Sequence, residues 1–254
     1  MLKFCVLASG SRGNCLYVES PGTRLLVDVG LSASQIERRL RSIQVDPYSL
    51  QAIVLTHHHN DHVRGVGVFA RRFGLPVHGH PETLQAIRPH MKEGQPLEPW
   101  RQAFTIGDLS FQPFELSHDC FPTFGYLIRW RSRTLALCTD LGVVTDSVRQ
   151  HLSQAHALVL ESNHDPEMLY NGPYPWHLKE RIAGRLGHLS NLDAGRLLGS
   201  IAHGGLQRVV LGHLSEKNNT ARLALETVCE QITPALHPVV SVVEQRQVSE
   251  VFSV

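Results

Sequence analysis

The chain has 254 residues, 42% of them hydrophobic and 19% charged, with 24 basic against 23 acidic side chains and a formal net charge of +1. This composition excludes a disordered chain, gives ample length for a core, and excludes a broad cationic face for non-specific nucleic-acid binding, though not a local groove. Five scattered cysteines with no Cys-x-x-Cys pair exclude a disulfide framework and a cysteine-zinc module, and fit a reducing compartment.

In chain order, strand signals at 4–8, 15–19 and 24–29 are separated by short turns, the first being Ser9-Gly10-Ser11-Arg12-Gly13-Asn14, and predict antiparallel hairpins. Ser32 or Ser34 can cap a helix running to about 42, with Ile36, Leu40 and Ile43 inward. A strand at 51–55 then leads into a histidine-rich segment and a helix over 61–72, followed by a strand at 76–78 and a helix over 82–90. A second β set is predicted at 104–105, 109–116, 125–130 and 134–138. The remainder alternates helices near 145–154, 177–186, 191–203 and 219–232 with strands near 157–161, 207–211 and 238–243. Strands then helices, twice over and without a linker, predict one domain over 1–254 made of two sheets packed face to face with helices outside. Met1 leads straight into the first strand without a signal-peptide pattern, and no apolar run reaches membrane-spanning length, so the expected setting is cytoplasmic.

The most informative segment is Thr56-His57-His58-His59-Asn60-Asp61-His62, directly after the apolar run Ala52-Ile53-Val54-Leu55. Read as His-x-His-x-Asp-His, it delivers metal-binding groups to the C-terminal rim of a buried strand. While the chain stays extended, His57, His59 and Asp61 point to one side; His62 steps out of phase, which suits a second ion, and His58 points away. One cluster cannot fill two coordination shells, so other strand ends must contribute. Ser117-His118-Asp119, Thr139-Asp140-Leu141-Gly142 and Gly212-His213-Leu214-Ser215 each follow an apolar run immediately.

The order His-x-His-x-Asp-His, His, Asp, His resembles the metallo-β-lactamase fold superfamily over nearly the whole chain, and the resemblance implies an α/β fold, the αββα four-layer sandwich. It implies that His57, His59 and His118 hold one ion, that Asp61, His62 and His213 hold the other, and that Asp140 bridges them. Asp28, in Val27-Asp28-Val29-Gly30, matches the superfamily's early Asp-x-Gly, which supports the histidine loop. An imidazole and carboxylate shell accepts zinc or manganese, with iron also chemically acceptable. A bridging aspartate is the pattern of the phosphodiesterase, nuclease and glyoxalase branches.

Three further segments resemble the YycJ/WalJ-type metallo-hydrolases, which are associated with exonuclease activity on DNA: the 9–14 loop, Leu160-Glu161-Ser162-Asn163-His164, and Gly187-His188-Leu189-Ser190-Asn191 ahead of a helix. By this resemblance His188 contacts the scissile phosphate and protonates the leaving oxygen, and Glu161 orients it; Asp61 completes the catalytic set. Ser9, Asn14, Asn163, Ser190 and Asn191 become candidate substrate contacts, Ser190 or Asn191 as the cap of an anion-favouring helix start. Lys179, Arg181 and Arg185 read as a solvated helix face, whereas Tyr174 and Trp176 offer rings able to stack a nucleotide. The expected activity is phosphodiester hydrolysis by a hydroxide shared between two ions, with nucleic acid as substrate, DNA ahead of RNA, and no membrane partner. Two other readings stay open: the same fold acting on a small ester, thioester, lactone or cyclic phosphodiester, and a non-enzymatic metal scaffold or di-iron redox sensor. Asp140 and His188 together favour the nuclease.

Overall fold

A computed structural model describes residues 1–254. The short apolar runs form two seven-stranded sheets built on one plan. The first holds β1 (Lys3–Ala8), β2 (Cys15–Glu19), β3 (Arg24–Val27), β4 (Ala52–Val54), β5 (Val77–Gly79) and β6 (Leu97–Pro99). Its β1, β2 and β3 run antiparallel, whereas β3 to β6 run parallel. The second holds β7 (Phe104–Ile106), β8 (Leu109–Glu115), β9 (Phe124–Trp130), β10 (Arg133–Cys138), β11 (Ala157–Glu161), β12 (Arg208–Gly212) and β13 (Val240–Val242). Here β7 to β10 are antiparallel and β10 to β13 parallel. The last strand, β14 (Phe252–Ser253), returns to pair antiparallel with β1.

Each sheet therefore changes from antiparallel to parallel at one strand, β3 in the first and β10 in the second. Just past the end of each stands an aspartate in left-handed backbone, Asp28 at φ 62° and Asp140 at φ 64°. In sheets with parallel strands, the crevice beyond the strand C-termini at such a switch is where ligands bind.

The layers follow from side-chain alternation along strands. Phe4 and Val6 join Val27, Val54, Phe111, Tyr126 and Val159 in a core between the sheets, while Cys5 and Leu7 face the other way. Buried on both faces, these strands read as unbroken apolar runs. The helices are α1 (Ala33–Ser42), α2 (Asn60–Val63), α3 (Val66–Phe73), α4 (Pro81–Ile87), α5 (Asp146–Leu152), α6 (Pro166–Asn171), α7 (Trp176–Ala183), α8 (Asn191–Ile201) and α9 (Ala221–Glu230). Ile36, Leu40, Phe69 and Leu84 pack α1, α3 and α4 on the first sheet; Val148, Leu197 and Val228 pack α5, α8 and α9 on the second. The result is the expected αββα sandwich. Ser32 caps α1 in a capping box with Gln35. No helix is long and apolar enough to cross a membrane.

The helix expected over 61–72 is broken in two, between α2 and α3. Gly65 lies so close to the strand-end loop that a Cβ there would stand 2.0 Å from the Leu31 carbonyl oxygen, and its N–H is drawn to the Val29 carbonyl at 2.9 Å. The helix expected over 82–90 ends as α4 at Ile87 and passes into a tighter 3₁₀ turn over Arg88–His90, where Pro89 has no N–H to continue the ladder. Strands β6 and β14 and helix α6 answer to no sequence signal. The two strands are edges of two or three residues, too short for any period to show.

Candidate metal centre

The histidine segment leaves β4 as a loop that a single carboxylate organises. Asp28 accepts hydrogen bonds from the Thr56 N–H at 2.9 Å, from the Thr56 hydroxyl at 2.8 Å and from His62 Nδ1 at 2.7 Å. Because the Thr56 hydroxyl donates to Asp28, its oxygen is free to accept from His57 Nδ1 at 2.9 Å. These bonds place the protons of both rings on Nδ1 and turn Nε2 of each toward the other strand ends, the usual task of a carboxylate behind metal-binding imidazoles. Asp61 then falls in the first turn of α2, so the chain is no longer extended where Asp61 and His62 turn inward.

The other strand ends converge on the same place. After β8, His118 donates from Nδ1 to the Gly187 carbonyl at 3.1 Å, and its Nε2 faces His59 Nδ1 at 3.2 Å. Past β10, Asp140 is buried, with Oδ1 3.4 Å from His213 Nε2 and 3.7 Å from His118 Nε2, and Oδ2 3.2 Å from His62 Nε2. Beyond β12, His213 holds a left-handed conformation at φ 55° and directs Nε2 to within 3.7 Å of Asp61 Oδ2. Backbone strain of this kind persists only where surrounding bonds enforce it. The His213 N–H donates to the Ser9 hydroxyl at 2.7 Å, and the Asn163 amide donates to the His213 carbonyl at 2.8 Å.

Donor atoms lie within 4.8 Å of one another in the sets His57, His59, His118; His57, His62, Asp140; Asp61, His62, His213; and Asp140, Glu161, His188, His213. His57 Nε2 is buried without any hydrogen-bond partner, an arrangement that costs about 1–3 kcal/mol unless something answers it. His118 Nε2 and His59 Nδ1 also face each other at 3.2 Å, and a cation between such nitrogens takes both lone pairs. The residues fit divalent metal ions.

The electrostatics agree. Burial holds the His57 imidazole well below its ordinary pKa, keeping it neutral. Burial works in the same direction on His62 and His213, yet the nearby carboxylates, Asp140 foremost, raise both well above the usual range. Burial would raise Asp140, but His213 and His62 hold it well below the carboxylate range. Absent a cation, the cluster thus keeps protons on two histidines as its source of positive charge.

Glu161, at the end of β11 and fully buried, stands behind the cluster. Its Oε1 accepts from His188 Nδ1 at 2.6 Å and lies 3.1 Å from His213 Nδ1, while Oε2 accepts the Leu141 and Leu189 N–H groups at 2.9 and 3.3 Å. Burial opposes its ionisation, but His188 and His213 bring its pKa down to about 2. His188 in turn is raised by Glu161 against the effect of burial. Its ring stacks on His213 at 5.2 Å and borders the cleft.

The cleft itself, of about 260 Å³, is lined by His59, Asp61, His118, Asp140, His188 and His213 together with Tyr174, Leu178, Arg181 and Ile182. A hollow of about 470 Å³ adjoins it across Ser215, bounded by Arg12, Lys217 and Arg246, and contains none of the clustered donors.

Of the candidate substrate contacts, Asn163 lines the cleft. Asn14 is buried beneath the donors, its amide 2.9 Å from His62 Nε2 and 3.3 Å from Asp61 Oδ2, and Ser9 is buried under the His213 backbone. Ser190 and Asn191 do not reach the cleft. The Ser190 hydroxyl accepts from the Asp193 N–H of its own helix at 3.1 Å, and Asp193 already supplies a negative charge at that helix start. Asn191 is fully buried, bonded to Ser162 and Asn219. Charged residues beside the donors also escaped the sequence reading. Asp119, next to His118, brings Oδ1 to 3.4 Å from His118 Nε2 and 3.5 Å from His59 Nε2. Arg181, expected on a solvated face, bonds Asp119 at 2.5 Å and walls the cleft. His58 turns away from the donors, toward Cys120 Sγ at 3.3 Å.

Residues 8–213 match the family described as the metallo-beta-lactamase superfamily. The chain is 37% identical over 239 residues to the exodeoxyribonuclease WalJ of Streptococcus pneumoniae, covering 92% of this chain and 89% of that protein. It is 38% identical over 237 residues to the exodeoxyribonuclease YycJ of Bacillus anthracis, covering 90% and 88%. Among solved structures, the metallo-beta-lactamase fold protein YhfI from Bacillus subtilis superposes with a TM-score of 0.75 at 17% identity, over 98% of this chain and 100% of that one.

Proposed function

Because the chain belongs to the metallo-beta-lactamase superfamily, in its WalJ/YycJ branch, and is accordingly a metal-dependent hydrolase acting on phosphodiester bonds, we propose that it is a DNA exonuclease working with two divalent cations. The observation that carries the reading is the pairing of a donor cluster with His188, an imidazole backed by a buried glutamate at the cleft wall. The identity of its relatives as exodeoxyribonucleases supports DNA as the substrate.

His57, His59 and His118 would hold one cation and Asp61, His62 and His213 the other, with Asp140 facing both sets. Bound there, a cation pair lowers the pKa of a water molecule and offsets the charge that gathers on a phosphoryl group under attack. Zinc and manganese suit a donor set of imidazoles and carboxylates without thiolate, and iron is chemically acceptable too. The five cysteines are all free, which supports a reducing, cytoplasmic setting.

The protein's own groups do the rest. Asp28 and Thr56 hold the rings of His57 and His62 so that Nε2 of each points inward. Glu161 favours the charged form of His188 and aims the ring by its Nδ1, leaving Nε2 to hold a phosphate oxygen or to give a proton to the departing alkoxide. Proton donation to such a poor leaving group is worth about 10²–10⁴ in rate. Arg181, held at the cleft by its bond to Asp119, adds positive charge beside the phosphate.

A panel of end-labelled single-stranded DNA, double-stranded DNA and RNA, run with manganese and with zinc, tests the reading. Stepwise loss of nucleotides from DNA is the expected result. Thioester or lactone turnover by a preparation that leaves every nucleic acid intact would overturn it.

A further inference from the structure

Two loops step out of the metal cleft together, joined where the His213 N–H donates to the Ser9 hydroxyl at 2.7 Å. The loop after β1 puts Ser11 on the cleft wall and Arg12 on the wall of the neighbouring hollow. The loop after β12 carries the donor His213, then Ser215 on both walls, then Lys217 on the hollow alone. The hollow encloses about 470 Å³. That is within the range of pockets that hold a small organic ligand, so it has room for a nucleotide unit rather than a bare ion.

Its wall is braced and cationic. The Arg12 N–H donates to Gln245 Oε1 at 2.8 Å and its carbonyl accepts from Arg64 at 3.0 Å, while Gln245 itself is only 7% exposed. The Arg12 guanidinium bonds Glu216 at 2.7 Å, and the same carboxylate lies 4.0 Å from Arg246. One carboxylate thus serves two guanidinium groups, and Lys217 forms no ion pair; Glu244 is the other carboxylate on the wall. Ser215, 9% exposed, accepts the Asn218 N–H at 3.2 Å, and its own hydroxyl proton has no acceptor. Helix α9 begins at the hollow, with Thr220 and Ala221 on the wall, and its first turn holds no acidic residue. Such a start favours a negative charge brought from outside, whereas at α8 Asp193 already supplies one.

We infer that the hollow is a phosphate subsite: it holds the phosphodiester next to the one in the metal cleft, with Lys217 and Arg246 as its cations and the Ser215 hydroxyl as a donor on the dividing wall. The inference rests on the phosphodiesterase reading above and deepens it by naming where the strand is gripped. Backbone contacts of this kind fix a strand's register without reading its sequence, and single strands and duplexes present the same phosphates to them.

The test compares the metal-loaded protein with Lys217→Ala, Lys217→Arg and Arg246→Ala on end-labelled DNA, in the form that the parent degrades, over a range of salt. Loss of one phosphate contact makes the fall of log kcat/KM with log salt shallower by about 0.9. The deficit of each alanine variant should therefore shrink about threefold between about 50 and 200 mM salt, and Lys217→Arg should keep the parent's slope. Replacing single linkages by uncharged methylphosphonate locates the contact. With the replacement beside the first linkage cleaved, parent and Lys217→Ala should degrade the DNA equally; several linkages away, the deficit should persist. A parent-like slope for either alanine variant, or a deficit that no methylphosphonate position abolishes, overturns the subsite while leaving the phosphodiesterase standing. If the parent hydrolyses neither DNA nor bis-p-nitrophenyl phosphate, the phosphodiesterase reading itself has failed.

Discussion

Glu161 Oε1 accepts the Nδ1 proton of His188 at 2.6 Å from a fully buried position, so one carboxylate fixes a ring that borders the cleft. If His188 serves the leaving group and is not a ligand, His188→Ala should lower kcat by about 10²–10⁴ with bound metal unchanged. Glu161→Ala should lower both, because Oε1 also lies 3.1 Å from His213 Nδ1. Metal analysis of each purified variant beside its turnover of an oligonucleotide, whose departing alkoxide needs a proton, separates the two roles; metal loss in His188→Ala would make His188 a ligand.

Asp28 never faces the cleft, yet three hydrogen bonds from Thr56 and His62 end on its carboxylate. Asp28→Asn keeps the shape and tolerates the left-handed backbone at φ 62°, but replaces one charged acceptor with an amide donor. Metal affinity should fall about 10–100-fold, read by competition with a chromophoric chelator. Parent-like affinity would mean that the ring orientation is set elsewhere.

The convergence of donors was legible because each follows a strong apolar run, and a strand rim can face only one crevice. The sandwich was legible for a related reason: strands buried on both faces carry continuous hydrophobic runs. What escaped depends on contacts between distant segments. Nothing in the local pattern distinguishes a helix face turned to water from one turned to a cleft, so Arg181 read as solvated. Ser190 carries the right chemistry for an anion site, but its hydroxyl is taken by the Asp193 N–H. Gly65 splits a helix because of a carbonyl more than thirty positions earlier in the chain, at Leu31.

Metal removal should be visible in stability and in protons. A ligand present at about a thousand times its Kd stabilises the folded state by about 4 kcal/mol, so chelation should lower Tm markedly and added manganese or zinc should restore it. Carboxylates keep His62 and His213 protonated in the cation-free cluster, so metal binding must displace those protons. Calorimetry in buffers of different ionisation enthalpy should show proton release on binding, and affinity should fall as pH falls. Buffer-independent heats would contradict this charge account.

His164 gives a pH signature of its own. Burial pushes its pKa down to about 4 from an ordinary 6.5, and its Nδ1 has no partner. The unfolded chain takes up a proton near pH 6.5 that the folded chain refuses until about pH 4. The native state therefore keeps its full stability above that upper value and loses it as pH falls toward the lower one, by about 3 kcal/mol. His164→Leu should flatten the decline in Tm between pH 6.5 and 4.5 relative to the parent. Parallel curves would show that this imidazole does not govern the decline.

Anomalous diffraction from crystals grown with manganese or zinc addresses the central claim most directly. Two peaks are expected, about 3.5–4 Å apart, one ringed by His57, His59 and His118, the other by Asp61, His62 and His213, with Asp140 reaching both. A single peak, or peaks remote from Asp140, would contradict the two-cation centre.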